Sequence, residues 1–467
     1  MLRTLLASRP ALLGSAFAVA LAVTPSATKI DGKPFSASVM DLAKQGYVEE
    51  EFFISGTART YDIPRDQMSN GTPAEATHPF KTRIVVRRPS SQAKFNGTVV
   101  VEWTNVSEGF DNEVEWFHSG EHFVRSGYAW VGVSAQNVGV SALKQRVADR
   151  YASLDVTDND TVKGDGLSYD IFTAAGMAVR GKSGQNVMGG LKVERVIASG
   201  HSQSAGRLAT YFNVVHPLTP VYDAVLLHGG GGKMRTDLNL KIWKLLSETD
   251  VLGQVAVRQA DTDKFRTWEV AGVSHLDYTH ANQLVKLGLR NKETMLPNPP
   301  SPSPSASARQ APGGGPAPGP FNGCMHPPLS RIPGEYVQNA LYDHVTRWLK
   351  DGTLPPAAPP IDLVMEGARP SIDRDSFGNS LGGIRLAEHA VATAVNSGEN
   401  TGGGFCFLTG WHEDFDKARI AQLYTSHLSY VSDVRVATDK NLRAGYITKA
   451  DAAKTIAAAE QSSIGKS

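Results

Sequence analysis

The sequence predicts an α/β fold, in which a mostly parallel central sheet carries helices on both faces. Short apolar runs rich in β-branched residues alternate with helical patterns, as where 97–103 is followed by 112–126. An apolar run over 193–198 passes through a sharp turn at Ser202 into a further helical pattern. The chain has 467 residues, of which 41% are hydrophobic, so it is long enough to bury a large core.

The individual elements follow from hydrophobic periodicity and from the Gly, Pro and Asn residues that interrupt it. The predicted strands cover 47–55, 82–88, 97–103, 128–134, the run before Ser202, 224–227, 242–246 and 265–271. The predicted helices cover 112–126, 167–180, the stretch from Ser204 through Phe212, and 335–352. Strands that alternate with helices of this length predict parallel pairing, and function is then expected at the carboxyl ends of the strands.

The N-terminal segment resembles an export signal. Arg3 and Arg9 precede the uncharged apolar stretch 11–23, which is short for a membrane span, and small residues follow it. We therefore expect a signal peptide over 1–27, cleaved near 22–27, and a secreted or periplasmic protein with no stable membrane span after cleavage. The formal net charge of +1 is dispersed, which argues against a nucleic-acid partner and against electrostatic binding to membranes.

The remaining chain divides into a catalytic-type domain over 28–360 and a C-terminal extension over 361–467, which we expect to pack on that domain. Within the first, 297–320 is rich in Pro, Ser and Gly and is predicted to be a disordered insertion. The extension is a candidate roof for the functional site, with Trp411 and His412 as the first residues expected there. Export would permit a disulfide between Cys324 and Cys406, although two buried thiols fit the sequence equally well.

The turn at Ser202 has the pattern of a nucleophile elbow. Gly200 and Ser204 place small residues two before and two after the serine, as the close approach of strand and helix requires. Ser204 departs from the commoner glycine. The Gln203 N–H at the start of the helix is then a candidate donor to an oxyanion.

Candidates for the other members of a triad follow at two later strand ends. The run 242–246 leads to Glu248 and Asp250, and the run 265–271 leads to His275. The chain order serine, acid, histidine is typical of this arrangement, with His275 as general base and Asp250 as the carboxylate that orients it. Glu248 remains an alternative acid. It begins two residues before Asp250, but its longer side chain can reach the same nitrogen of His275.

A second oxyanion donor is expected from the loop after the strand 97–103. The backbone N–H of Asn105 or of Val106 is the predicted donor. On the following helix, Glu115, His118 and His122 share one face, which we interpret as a polar helix surface. We predict no metal and no cofactor.

Several stretches spread over the chain resemble the α/β-hydrolase superfamily, and more closely a secreted "alpha/beta hydrolase domain" family whose members carry an extended C-terminal region. The matching stretches are 46–56, 99–105, 131–136, 168–172, 247–251, 268–272 and 274–275. The resemblance implies the α/β-hydrolase fold over roughly 47–352 and serine hydrolysis of a carboxylic ester through an acyl-enzyme. It supplies no particular substrate.

The predicted function is therefore a serine esterase that acts on a small-molecule or polymer ester. An amidase or peptidase could use the same triad, but it must expel a poorer leaving group. A non-catalytic secreted binding protein on the same fold is the alternative outside enzymes. The sequence does not predict an oligomeric state.

Overall fold

The computed structural model describes residues 24–291, 323–367 and 369–466. Residues 1–23 of the predicted signal peptide lie outside the described residues. The whole predicted insertion over 297–320 also lies outside them. The first strand begins at Ser26, two residues before the predicted start of the domain. Among the described helices, none is long and apolar enough to cross a membrane.

The described residues form strands that we number in chain order. They are β1 (Ser26–Ile30), β2 (Tyr47–Ala58), β3 (Tyr61–Asp62), β4 (Thr72–Pro73), β5 (His78–Pro89), β6 (Thr98–Trp103), β7 (Ala129–Val133), β8 (Arg195–His201), β9 (Ala224–His228), β10 (Lys241–Ser247), β11 (Phe265–Val270), β12 (Leu363–Glu366), β13 (Arg369–Ile372), β14 (Ala394–Ser397) and β15 (Trp411–Asp414).

The helices are numbered in the same way. They are α1 (Val114–Ser126), α2 (Asn137–Arg146), α3 (Ala148–Tyr151), α4 (Ser168–Val179), α5 (Gln203–Thr210), α6 (Glu248–Gln254), α7 (Tyr278–Asn291), α8 (Gly334–Asp351), α9 (Ala387–Ala390), α10 (Cys406–Thr409), α11 (Lys417–Leu423), α12 (His427–Ala444) and α13 (Lys449–Gln461). A π-helical turn, Tyr211–Val215, continues α5.

The central sheet has nine strands in the order β1-β2-β5-β7-β6-β8-β9-β10-β11. Pairing is antiparallel from β1 to β7 and parallel from β7 to β11. The predicted mostly parallel sheet with helices on both faces is therefore confirmed. The carboxyl ends of β6, β8, β10 and β11 meet along one edge, where the predicted site residues follow them.

Strand β6 shows why these sequences form buried strands. Val99, Val101 and Trp103 pack into the core on the face of α4 and α5, and Val100 packs into the core on the other face. Both faces are apolar, so the strand is a continuous hydrophobic run rather than an alternating one. Glu102 is buried on the second face, where it accepts hydrogen bonds from the first turn of α1 and from Trp130 Nε1.

The extension pairs with the carboxyl-terminal end of β11, the last edge strand of the sheet. Ile384 forms a parallel bridge with Val270 of β11, and Ile361 N–H donates to the Glu269 side chain. This bridge pairs the carboxyl-terminal end of β11, next to the functional edge of the sheet, with the extension. Further on, α12 and α13 pack as an antiparallel pair, and α12 also packs on α9.

Candidate active site

Ser202 stands at the turn between β8 and α5 with an unusual backbone conformation. Its φ is 60° and its ψ is −119°, a region that a non-glycine residue adopts only when its surroundings impose it. Its N–H donates to the His228 carbonyl at 2.8 Å, which ties the turn to the neighbouring strand. The side chain therefore stands at the carboxyl edge of the sheet, beside the N-terminus of α5.

The small residues on either side of Ser202 are needed for packing. A Cβ added at Gly200 would lie 3.0 Å from Leu208 Cδ1 and 3.1 Å from Ser204 Cβ, closer than ordinary contact. Ser204 is fully buried, and its hydroxyl donates to the Thr104 carbonyl at 3.2 Å. The serine in place of the commoner glycine thus fastens the helix to the end of β6.

Asp250 and His275 are hydrogen-bonded to each other. His275 Nδ1 lies 2.6 Å from Asp250 Oδ1. The other oxygen, Oδ2, accepts from Ser247 N–H at 2.8 Å and from Ser247 Oγ at 2.6 Å. Burial alone would raise the pKa of Asp250, but the contacts with His275 and the hydrogen bonds from Ser247 hold it below its usual value. An ionised Asp250 keeps the proton on His275 Nδ1 and leaves Nε2 free to act as a base.

Glu248, the alternative acid, makes no hydrogen bond to His275 within the described chain, and its carboxylate binds other groups. Its oxygens accept hydrogen bonds from Gly272 N–H, Arg374, Ser380 Oγ and Gly398 N–H. Three of these four donors belong to the C-terminal extension. Glu248 therefore joins the extension to the loop that precedes His275, a role that sequence spacing does not indicate.

The two predicted backbone donors after β6 differ in availability. The Asn105 N–H donates to the Asn112 carbonyl at 3.0 Å, so this group is not available to an oxyanion. Its side chain instead donates to the His201 carbonyl at 2.9 Å and fixes the loop against the turn. The Val106 N–H makes no hydrogen bond with the described residues. Val106 remains the candidate, together with Gln203 at the first position of α5, where N–H groups lack intrahelical acceptors.

Ser202, Asp250 and His275 line one cavity of about 540 Å³. The Ser202 hydroxyl and His275 are not hydrogen-bonded to each other in this structure. Contacts of this kind tighten when substrate binds. His201 also lines the cavity, and its ring centroid lies 4.3 Å from that of His275.

One wall of this cavity comes from the C-terminal extension. Phe405, which precedes α10, lines the cavity together with Phe407 and Leu408 of α10. A disulfide joins Cys406 to Cys324. Leu276 N–H donates to the Leu408 carbonyl at 2.8 Å, so this wall is also tied to the residue after His275.

The residues first expected over the site lie elsewhere. The Trp411 ring stacks on His326 with centroids 4.6 Å apart, and His412 Nδ1 contacts Asn396. The wall residues were missed because a short helix in a glycine-rich stretch has no periodic pattern.

Removal of the disulfide should loosen this wall. The chain has only two cysteines, so a reductant acts on this bond alone. We expect Cys324→Ser/Cys406→Ser to lower the free energy of unfolding by about 2 to 4 kcal/mol, because the bond closes a loop of 82 residues. We expect kcat/KM for an aryl ester to fall roughly 3- to 10-fold as the wall is released. Dithiothreitol should reproduce both effects in the wild type and change nothing in the double variant; equal sensitivity of the two proteins would contradict this.

The polar face of α1 is buried, so its interpretation as a helix surface was wrong. Glu115, His118 and His122 are 0%, 8% and 1% exposed. Glu115 Oε1 lies 3.0 Å from His228 Nδ1, His118 Nε2 lies 3.0 Å from Asp277 Oδ2, and His122 Nε2 lies 3.1 Å from an Asp343 oxygen. Helical spacing could not reveal this, because the partners come from distant segments. In the part of the chain that the structure describes, no group of three or more such side chains is arranged to hold a metal ion.

The pair formed by His118 and Asp277 predicts a pH-dependent contribution to stability. Burial would lower the pKa of His118, but Asp277 raises it to about 9. This contribution is complete below the unfolded pKa near 6.5 and is lost as the pH rises through 9. We expect the stability advantage of the wild type over His118→Gln, measured by urea unfolding, to shrink by on the order of 3 kcal/mol between pH 6 and pH 9.5. A difference that stays constant over this range would contradict the ion pair.

The sheet is mostly parallel and has a serine at the turn between a central strand and its helix. A carboxylate and a histidine, hydrogen-bonded to each other, follow two later strands. These features define the α/β-hydrolase class. The chain belongs to the family described as "Alpha/beta hydrolase domain", whose model matches residues 22–457. The resemblance inferred from the sequence is thereby confirmed. A search of curated proteins found no match.

Solved structures similar to the chain include three hydrolases. An α/β serine hydrolase without lid from Xanthomonas campestris has 13% identity and a TM-score of 0.28, with 52% of this chain and 96% of that chain covered. A carboxylesterase from Lactobacillus plantarum has 11% identity, a TM-score of 0.25 and coverages of 47% and 78%. A glucuronoyl esterase from Caldicellulosiruptor kristjansonii has 11% identity, a TM-score of 0.23 and coverages of 44% and 45%.

Proposed function

We propose that this protein is a serine esterase that cleaves a carboxylic ester through an acyl-enzyme. One observation carries the proposal. Ser202, held at φ 60° at a strand-to-helix turn, shares a cavity with a His275 whose Nδ1 is hydrogen-bonded to Asp250 at 2.6 Å. These are the nucleophile, the base and the orienting acid that acyl transfer requires.

In the proposed reaction, Ser202 Oγ attacks the ester carbonyl while His275 Nε2 accepts the hydroxyl proton. The tetrahedral oxyanion is stabilised by the Gln203 N–H, with Val106 N–H as the second donor. His275 then gives its proton to the leaving alkoxide, and an acyl-serine remains. Water, deprotonated by the same histidine, attacks the acyl-serine and releases the carboxylic acid.

Asp250 orients the imidazole and stabilises its protonated form. Its ionised state is favoured by Ser247, which donates two hydrogen bonds to the oxygen that faces away from His275. An ester is preferred to an amide as the substrate, because an alkoxide leaves more readily than an amine anion and makes less demand on the histidine as acid.

We also propose that the protein acts in the periplasm or outside the cell. The charged and apolar pattern at its N-terminus supports export, and the disulfide between Cys324 and Cys406 is compatible with an oxidising compartment. Immunoblots of cell fractions, together with N-terminal sequencing of the exported chain, test this proposal.

The test of the activity is active-site labelling of the purified protein with a fluorophosphonate, followed by peptide mass spectrometry. We expect a single phosphonyl adduct on Ser202 and loss of ester hydrolysis in proportion to labelling. A matched ester and anilide of one acid separate an esterase from an amidase. A folded protein that is neither labelled nor active on any ester would overturn the proposal in favour of a binding protein.

A further inference from the structure

The proposed reaction leaves one polar cluster in the wall of the cavity without a role. It consists of Glu108, Asn112 and His280, all of which line the cavity. Asn112 Nδ2 lies 2.5 Å from Glu108 Oε2 and 3.0 Å from His280 Nε2. Both amide protons are therefore used, and His280 accepts at Nε2 and carries its own proton on Nδ1.

Three polar atoms of this cluster lack partners. Asn112 Oδ1 and His280 Nδ1 are buried without a hydrogen bond to any described residue. The two side chains belong to residues that are only 1% and 2% exposed. Glu108 Oε1, on a residue that is only partly buried, makes no hydrogen bond with the described residues and is a further acceptor. Unpaired buried polar groups are costly and uncommon in native proteins, so the buried acceptor Asn112 Oδ1 and the buried donor His280 Nδ1 beside a nucleophile indicate a ligand that supplies the complementary groups.

The charge of the cluster further limits the chemical class of ligand that it can bind. Burial raises the pKa of Glu108 to about 7, and burial, together with repulsion from His118, lowers the pKa of His280 to about 3. The cluster therefore presents no cation near neutral pH. An anionic group is not complemented here, whereas a hydroxyl group can donate its one proton to a free oxygen of the cluster and accept from His280 Nδ1.

The wall contributed by the extension has the opposite character. Phe405, Phe407 and Leu408 are apolar, and Leu276 adds to them beside His275. The cavity thus has one wall that suits hydroxyl groups and one that suits an aliphatic or aromatic group. A wholly apolar ester would leave the polar cluster without hydrogen-bond partners. A wholly polar ester would make no apolar contacts with the wall from the extension.

We propose that Glu108, Asn112 and His280 form a subsite for a hydroxyl-bearing part of the substrate, and that the substrate is an ester of a hydroxylated compound with an apolar group on its other side. This inference rests on the proposed esterase function. The hydroxyl group could belong to the acid or to the alcohol, and matched substrates separate the two.

The experiment measures kcat/KM for two pairs of esters. The acid pair is 4-nitrophenyl 3-hydroxybutyrate and 4-nitrophenyl butyrate, and the alcohol pair is glycerol monobutyrate and propyl butyrate. We expect the wild type to prefer the hydroxylated member of one pair by about 10-fold or more. In Glu108→Ala and in His280→Gln the ratio within that pair should fall toward one. Glu75→Ala, which changes an exposed glutamate, is the matched control and should keep the wild-type ratio.

The outcomes distinguish this inference from the function on which it rests. If Ser202 is labelled and esters are cleaved, but neither pair shows a preference for the hydroxylated member, the subsite is refuted and the esterase stands. A preference that survives in both variants also refutes it. If Ser202 is not labelled and no ester is cleaved, both proposals fall. Circular dichroism of each variant excludes unfolding as the cause of a changed ratio.

Discussion

Replacement of Ser202 by alanine is expected to lower kcat for ester hydrolysis by at least about 10⁴-fold and to abolish labelling by a fluorophosphonate. The substitution removes the only atom proposed to form a bond to the acyl group. The oxyanion donors and the binding cavity remain, so a small residual rate above that in water is expected. Initial rates with an aryl ester, measured at saturating substrate, give the comparison.

Ser204→Ala is the matched control for this variant, because it removes a hydroxyl from the same turn. Ser204 Oγ donates to the Thr104 carbonyl and is fully buried. We expect its loss to lower the free energy of unfolding by about 1 kcal/mol and to leave labelling of Ser202 intact. A Ser202→Ala protein that retains activity within tenfold of the wild type would refute the proposed nucleophile.

Replacement of Asp250 by asparagine is expected to lower kcat by roughly 10³- to 10⁴-fold. With its oxygen on Ser247, the amide turns its NH2 group toward His275 Nδ1 and cannot accept that proton, and the neutral side chain no longer stabilises the imidazolium that forms during attack. The side chain keeps its size, and its oxygen can still accept from Ser247, so the fold should be preserved. Stopped-flow acylation and far-UV circular dichroism measure the two effects separately.

Glu248→Gln provides the contrast, because the two carboxylates stand two residues apart on α6. Glu248 is fully buried and faces Arg374, Ser380 and Gly398. Neutralising Glu248 leaves the Arg374 guanidinium with less opposing negative charge. We expect the free energy of unfolding to fall by about 1 to 3 kcal/mol, and kcat to change far less than in Asp250→Asn. The reverse pattern, with Glu248→Gln inactive and Asp250→Asn active, would assign the acid to Glu248.

Much of the sheet could be predicted from the sequence because its strands are buried on both faces. Runs such as that of β6, in which Val99, Val100, Val101 and Trp103 fill four of six positions, are dominated by apolar residues. The turn at Ser202 was also predictable, since Gly200 and Ser204 have to be small for the strand and helix to approach. Local sequence determines both features.

The contacts that complete the site could not be predicted, because they join distant segments. Helical spacing placed His118 on a polar face, but its burial depends on Asp277 in another part of the chain. The N–H of Asn105 was a reasonable donor until the fold paired it with the Asn112 carbonyl. Phe407 reaches the cavity only because the extension returns to the catalytic edge of the sheet.

The disulfide also determines what a protease would reveal. A cut at any single peptide bond between Cys324 and Cys406 yields two pieces that remain one covalent molecule, because the sulfur atoms hold them together. Such a nicked protein would migrate as a single species in a non-reducing gel and would separate only after thiol treatment. The nicked protein would also retain α10 beside the cavity. Cleavage between the two cysteines is therefore compatible with retained activity.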